Sequence, residues 1–386
     1  MRLSRIVCYF LFTLFAVYHL QGSIYPMGSI ISQFAILLIL LISGIYFAKT
    51  LLIKNNKNIF YYAWTLLLLL NIIGFILTAD FSNERHPRMF KNILGCLLPF
   101  YPFYYFANQD NLNKTDLIRF FLIMLPIGIM QFLFNRNQFM SLSTTLDDQN
   151  MVNNLAYFFV GLMPFTFLIR NRIFSMLLMG MIMIFIIQGA KRGAIVSGSV
   201  GLLIYFYYQI SSVEKNKQIG SYAIVLVMVI ILGFVVYETF LSNEFLIRRM
   251  ISIAEGNTSN RDIIYKNIFG HYYHSKNILN FITGYGFAGS LRIAGAYAHS
   301  DWLELLSNFG LIGLGIYVFL FYSSAKCILN NDWKRDKQVL MLAITMIWFL
   351  VSLISMWYLS LLYFGHVMSL GYLTGSKHRS LNYDLR

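Results

Sequence analysis

IFYYAWTLLLLLNIIGFIL, residues 59–77, runs for nineteen residues without one Asp, Glu, Lys or Arg. A helix of that length matches the thickness of a bilayer's hydrocarbon core, about 30 Å. Similar runs recur at about 6–20, 30–48, 89–106, 117–134, 152–169, 173–190, 193–210, 221–240, 303–322, 339–355 and 357–375. The last two form one long apolar stretch that must break near Ser355. Hydrophobic residues make up 58% of the chain and charged residues 12%. No soluble fold of this length hides that much apolar surface. The expectation is an all-α polytopic membrane protein, one domain over residues 1–386, with about twelve transmembrane helices.

Charge sets the orientation. With the N-terminus cytoplasmic, the inner turns collect Arg2, Arg5, Lys49, Lys54, Lys57, Lys114, Arg170, Arg172, Lys215, Lys217, Lys326, Lys334, Arg335, Lys337, Lys377, Arg379 and Arg386. The short outer loops carry only Arg85, Arg88, Arg136, Lys191 and Arg192. This bias puts both termini in the cytoplasm and accounts for most of the formal charge of +14. The basic residues are spread over many short turns, so no nucleic-acid surface is expected and the bilayer is the first partner. Residues 6–20 follow Arg2 and Arg5 like a signal peptide, but no small-residue cleavage site follows, and a retained helix is expected. Cys8, Cys96 and Cys327 have neither pairing nor metal-ligand spacing and read as small core residues.

One polar island interrupts the pattern: Leu241 to Trp302, which the charge bias assigns to the extracytoplasmic side as a single large loop. A second polar stretch, 135–154, includes Asp147 and Asp148. Gln188-Gly189-Ala190-Lys191-Arg192-Gly193-Ala194 puts two cations at the outer interface against the general bias. Either they snorkel to lipid phosphates, or a guanidinium is held there for a phosphate-bearing ligand, which its planar fork binds bidentately. Arg261 follows Ser259 and Asn260, either of which can cap a short helix; read locally it is an ordinary loop arginine beside Asp262. Thr283-Gly284-Tyr285-Gly286-Phe287-Ala288-Gly289 lacks nucleotide-binding spacing, so Gly284 and Gly286 are expected to allow a tight reversal near a substrate or the membrane surface. Asp301 and Glu304 read as a capping box opening a helix, with His299 at its mouth and Trp302 as interfacial anchor. His299 is then either structural or a catalytic group. His271 and His274 read as loop surface, and His366 as a packed, hydrogen-bonded histidine. No His or carboxylate cluster has metal-ligand spacing, and no metal site is expected.

Taken in order, these elements resemble the bacterial O-antigen ligase and polysaccharide polymerase superfamily. The strongest block is Ala298-His299-Ser300-Asp301-Trp302-Leu303-Glu304-Leu305-Leu306-Ser307-Asn308-Phe309-Gly310-Leu311-Ile312-Gly313. Arg192-Gly193-Ala194, Ser259-x-Arg261 and Gly284-Tyr285-Gly286-Phe287 resemble three weaker elements of that family. The chain departs from the pattern with Lys191 in place of Ser, Ser300 in place of Asn and Tyr265 in place of Trp. The resemblance covers about Gly189 to Gly313; the N-terminal half matches only in hydropathy.

The resemblance implies a metal-independent, inverting membrane glycosyltransferase of the GT-C class, without a cofactor, at the outer face of the cytoplasmic membrane. Its donor would be a glycan on undecaprenyl pyrophosphate and its acceptor a glycan hydroxyl, with a chain-length regulator as an allowed protein partner. Arg192 and Arg261 would stabilise the leaving pyrophosphate, with Lys191 assisting. His299 would position or deprotonate the acceptor hydroxyl, with Asp301 as its alternative or partner. A polymerase of repeat units is favoured over a ligase to lipid A core, because the chain is compact with no appended soluble domain. A polysaccharide transporter is the competitor from another class, but repeated halves and midplane charges are not seen.

Overall fold

The computed structural model describes residues 3–52, 57–142, 153–214, 218–241, 261–275, 277–330 and 332–376. Asp147, Asp148 and the expected caps Ser259 and Asn260 lie outside them, as does the start of the polar island. Among the described residues every regular element is helical. The order is α1 Leu3–His19, α2 Ile30–Leu52, α3 Ile59–Thr78, α4 Arg85–Leu97, α5 Phe100–Asn108, α6 Lys114–Leu142, α7 Ala156–Thr166, α8 Arg172–Gln188, α9 Arg192–Ser211 and α10 Gln218–Leu241. The polar island contributes α11 Arg261–Tyr273, α12 Ile278–Thr283 and α13 Gly289–Ala294, and the chain ends with α14 Asp301–Ile328, α15 Arg335–Ile354 and α16 Phe364–Gly375. Helices are what lipid permits, since each satisfies its own backbone hydrogen bonds.

Seven of these helices, α2, α3, α6, α9, α10, α14 and α15, have the length and composition to cross a membrane when α14 is counted over its whole length. Three more, α1, α7 and α8, are apolar but shorter. Two expected spans are broken. The run 89–106 divides between α4 and α5 at Leu98-Pro99, where proline's missing N–H opens a new helix. The stretch 339–375 breaks where expected: α15 ends at Ile354 and Ser355 is fully extended. The chain beyond Ser355 is less helical than the hydropathy predicts, with irregular backbone to Ser360, a 3₁₀ turn at Leu361–Tyr363 and only twelve residues in α16.

Glycines seat that short last helix in the core. A Cβ at Gly371 or Gly375 would press into the carbonyls of Phe100 and Tyr104 on α5, and one at Gly365 would overlap the carbonyl of Gly161 on α7. Such small residues let helices approach closely without a hydrophobic drive between them. On the other side, α9 and α15 run antiparallel: Gly193 lies by Ile354, Gly201 by Ile347, and Tyr207 by Arg335.

The expected span 303–322 is the main correction. Gly310 inside α14 has φ 60° and ψ −146°, which no helix contains. The rings of Trp302 and Phe321 stack with centroids 5.7 Å apart. In a straight helix those nineteen residues would separate them by about 28 Å. Asp301 likewise accepts a hydrogen bond from Tyr317 Oη at 2.6 Å. So α14 is a hairpin: residues 301–309 fold back along residues 311–328. Only glycine fits the bend, because φ is positive and a Cβ would meet Ile282 O at 2.5 Å and Gly284 N at 2.6 Å.

Candidate functional site

The site is built on the end of α15. A helix leaves its last carbonyls without partners, and here side chains from other elements take them. Arg261, the first residue of α11, donates from Nη1 to Ile354 O at 2.5 Å. Ser300 Oγ donates to Ser352 O at 3.2 Å, and Trp302 Nε1 to Ser352 Oγ at 2.9 Å. Just beyond the break, Asp301 accepts the Trp357 N–H at 2.9 Å. The unwound segment thus holds the starts of α11 and α14 together.

The third element is the start of α9. Gly193 packs against the Tyr157 hydroxyl and comes within 3.2 Å, measured from a built Cβ, of Ile354 Cδ1. That contact brings its neighbours Lys191 and Arg192 to the same place. Tyr157 engages Ser355 and feels the charge of Arg261. Arg261 also acts electrostatically on Arg192, and both Arg261 and Lys191 act on His299. The adjacent pair Lys191 and Arg192, with Arg261 and His299 from distant parts of the chain, is therefore brought to one region at the end of α15. Three helix N-termini, those of α9, α11 and α14, add their positive dipole ends there.

His299 itself is held in an unusual way. Its φ is +53°, one of four positive values for non-glycine residues among those described; Ala190, just before Lys191, has the same value. Each stands one residue before the cap of its helix, Ser300 and Lys191 respectively. A left-handed conformation at a non-glycine residue costs about 1 to 3 kcal/mol, so the surroundings must impose it. Both flanks of His299 are pinned. Glu304 accepts the Ala298 N–H at 2.9 Å and the Ser290 hydroxyl at 2.6 Å, while Ser300 is tied to α15. Burial pushes the His299 imidazole below its ordinary pKa, and the charges of Arg261 and Lys191 push it further the same way. It is a neutral base in a positively charged setting.

Some expected roles change. The helix starts at Asp301 as predicted, but without a capping box: Glu304 reaches Ala298 and Ser290 instead of the cap residue. Asp301 is fully buried and turned to Tyr317 and Trp357, so it positions the unwound segment and offers no carboxylate to a ligand. Gly284 and Gly286 do make a tight reversal, with φ of 73° and 85°. Their strand of backbone is joined to the hairpin tip, Tyr285 N–H donating to Ser307 O at 2.8 Å and Gly286 N–H to Asn308 O at 3.0 Å. They line a separate groove of about 510 Å³ between α3 and the hairpin, to which none of the four clustered residues contributes.

Other expectations hold. Cys8, Cys96 and Cys327 are free and buried, and His271 and His274 are exposed. His366 is fully buried, with Nδ1 accepting from Trp357 Nε1 at 3.2 Å and Nε2 3.0 Å from Val160 O. Sequence reading missed Tyr157, and it marked Ser355 only as a break between apolar runs and Glu304 only as part of a cap, not as supports of this site.

In comparisons with known proteins, no family model and no curated protein matches this chain.

Proposed function

We propose that the protein is a membrane glycosyltransferase that polymerises repeat units carried on a polyprenyl pyrophosphate, at the outer face of a bacterial cytoplasmic membrane. In this reading about twelve segments enter or cross the bilayer, the termini are cytoplasmic and residues 241–302 are extracytoplasmic. The observation that supports it is the gathering of Lys191, Arg192 and Arg261 around a neutral His299 at three helix N-termini.

Each residue then has a chemical task. The acceptor hydroxyl attacks the anomeric carbon of the donor sugar while the bond from that carbon to the pyrophosphate oxygen breaks. The leaving pyrophosphate takes the electron pair, and the guanidiniums of Arg192 and Arg261 balance its growing charge, with Lys191 beside them. His299 accepts the hydroxyl's proton; an imidazole kept neutral by its surroundings is ready for that at physiological pH. Arg261 is aimed by the carbonyl of Ile354 and His299 by Glu304 and Ser352, so the cluster is rigid before substrate arrives.

The test is a gel of surface glycan from a host deleted for the gene and complemented with His299→Ala, Arg192→Ala or Arg261→Ala. Each variant is expected to leave a single repeat unit on its carrier, with protein abundance unchanged. A normal ladder from all three would remove the proposed site. Bare core with accumulated lipid-linked polymer would instead identify a ligase.

A further inference from the structure

At the opposite ends of α9 and α15 lies a second cationic cavity that the proposed reaction does not use. It measures about 510 Å³ and is lined by Lys114, Arg170, Arg172 and Arg335 against one carboxylate, Asp336. Tyr208, Gln209 and Ser212 complete its polar lining, beside Phe167, Leu168 and Ile169. Since α9 and α15 are each twenty residues long, this cavity stands about 30 Å from the His299 cluster.

A positive-inside bias explains the sign of these residues but not their arrangement. Basic residues that only set topology stay on exposed turns, where water solvates them. Here the chain makes a concave site, and Lys114 in its wall is only 6% exposed. Neutral oxygens fix the guanidiniums: Arg172 Nη2 donates to Ser212 O at 3.3 Å, and Arg335 Nη2 to Tyr207 Oη at 3.2 Å. Arg335 also lies 5.9 Å from the centre of the Tyr207 ring. The partner atoms in those contacts are themselves uncharged. A volume of this size suits a small ligand, and three arginines lining one space suit phosphate oxygens in particular.

We infer that this cavity binds a phosphate-bearing anion: the headgroup of an anionic lipid in the adjacent leaflet, or a free phosphate compound. The inference is independent of the proposed reaction and survives its failure.

The test uses the full-length purified protein, by native mass spectrometry after exchange into equal mixtures of phosphatidylglycerol and phosphatidylethanolamine. Wild type is expected to retain phosphatidylglycerol preferentially, and the double variant R172Q/R335Q to retain it at least fivefold less. Asp336→Asn removes the one opposing charge and is expected to retain at least twofold more, a gain that misfolding cannot mimic. In a second arm inorganic pyrophosphate is titrated into delipidated protein by calorimetry. Binding there that is lost in R172Q/R335Q, without a phosphatidylglycerol preference, assigns the site to a free phosphate compound. Equal uptake of both probes by wild type and the double variant overturns the inference.

Discussion

The two ends of α9 and α15 carry the same kind of charge and treat it differently. At the His299 end, Arg261 is locked on a helix-terminal carbonyl, His299 is forced into a left-handed backbone, and the supporting carboxylates Asp301 and Glu304 are fully buried. At the Arg335 end, Arg170 and Arg335 are exposed, and the contacts to Ser212 and Tyr207 are longer. The difference is one of preorganisation. A site that must stabilise a transient charge holds its groups before that charge appears, whereas a site that only binds can let its ligand complete it.

The sharpest break of that comparison is a matched pair of arginine losses. In proteoliposomes supplied with lipid-linked repeat units, Arg261→Ala should lower turnover by roughly 10² to 10³-fold, the size expected for a lost transition-state donor. Arg335→Gln at the other end should leave turnover within about twofold, in keeping with a surface substitution. Similar losses from both would mean that the His299 end has no special role.

Next in size is the hairpin that carries His299. Gly310→Ala puts a Cβ against the backbone of Ile282 and Gly284 at a positive φ. Destabilisation of about 2 kcal/mol or more is expected, read as an earlier thermal transition in detergent, together with loss of turnover. Gly315→Ala, a few residues on where nothing lies within 4 Å, should leave both unchanged. If Gly310→Ala were as stable as Gly315→Ala, α14 would be one straight helix.

The smallest effect concerns pH. The proposed reaction needs a neutral His299, and its pKa lies below the ordinary value, so turnover should hold as pH falls through 6.5 and drop only below it. Lys191→Gln removes one of the charges that depress that pKa. The acid limb should therefore move upward in pH. His299→Gln should have no such limb at all. A limb that stays in place in Lys191→Gln would show that Lys191 does not act on His299.

Much of this was legible in the chain. The helical starts at Arg192, Arg261 and Asp301, the break at Ser355 and the burial of the three cysteines all follow from local composition. The hairpin was not, because Leu311-Ile312-Gly313-Leu314 continues the apolar run after Gly310 and hydropathy carries no information about φ. Asp301 was misread for a related reason. Sequence shows a carboxylate beside a histidine, and only the fold-back at Gly310 shows that it turns to Tyr317 and Trp357.

The sequence by itself determined that this is a helical protein made for a bilayer, because apolar runs free of charge have no other stable setting. It also marked His299, Arg261 and Arg192 as residues worth explaining. The resemblance grouped them only as an expectation; the tertiary structure brings the starts of their helices to the end of α15. Arg192 and Arg261 stand on different helices, 69 positions apart in the chain, and come near each other at the end of α15, where Arg261 bonds Ile354 O and Gly193, next to Arg192, packs on Ile354. A helix terminus is a local property of one segment; which partners satisfy it depends on how every other segment packs.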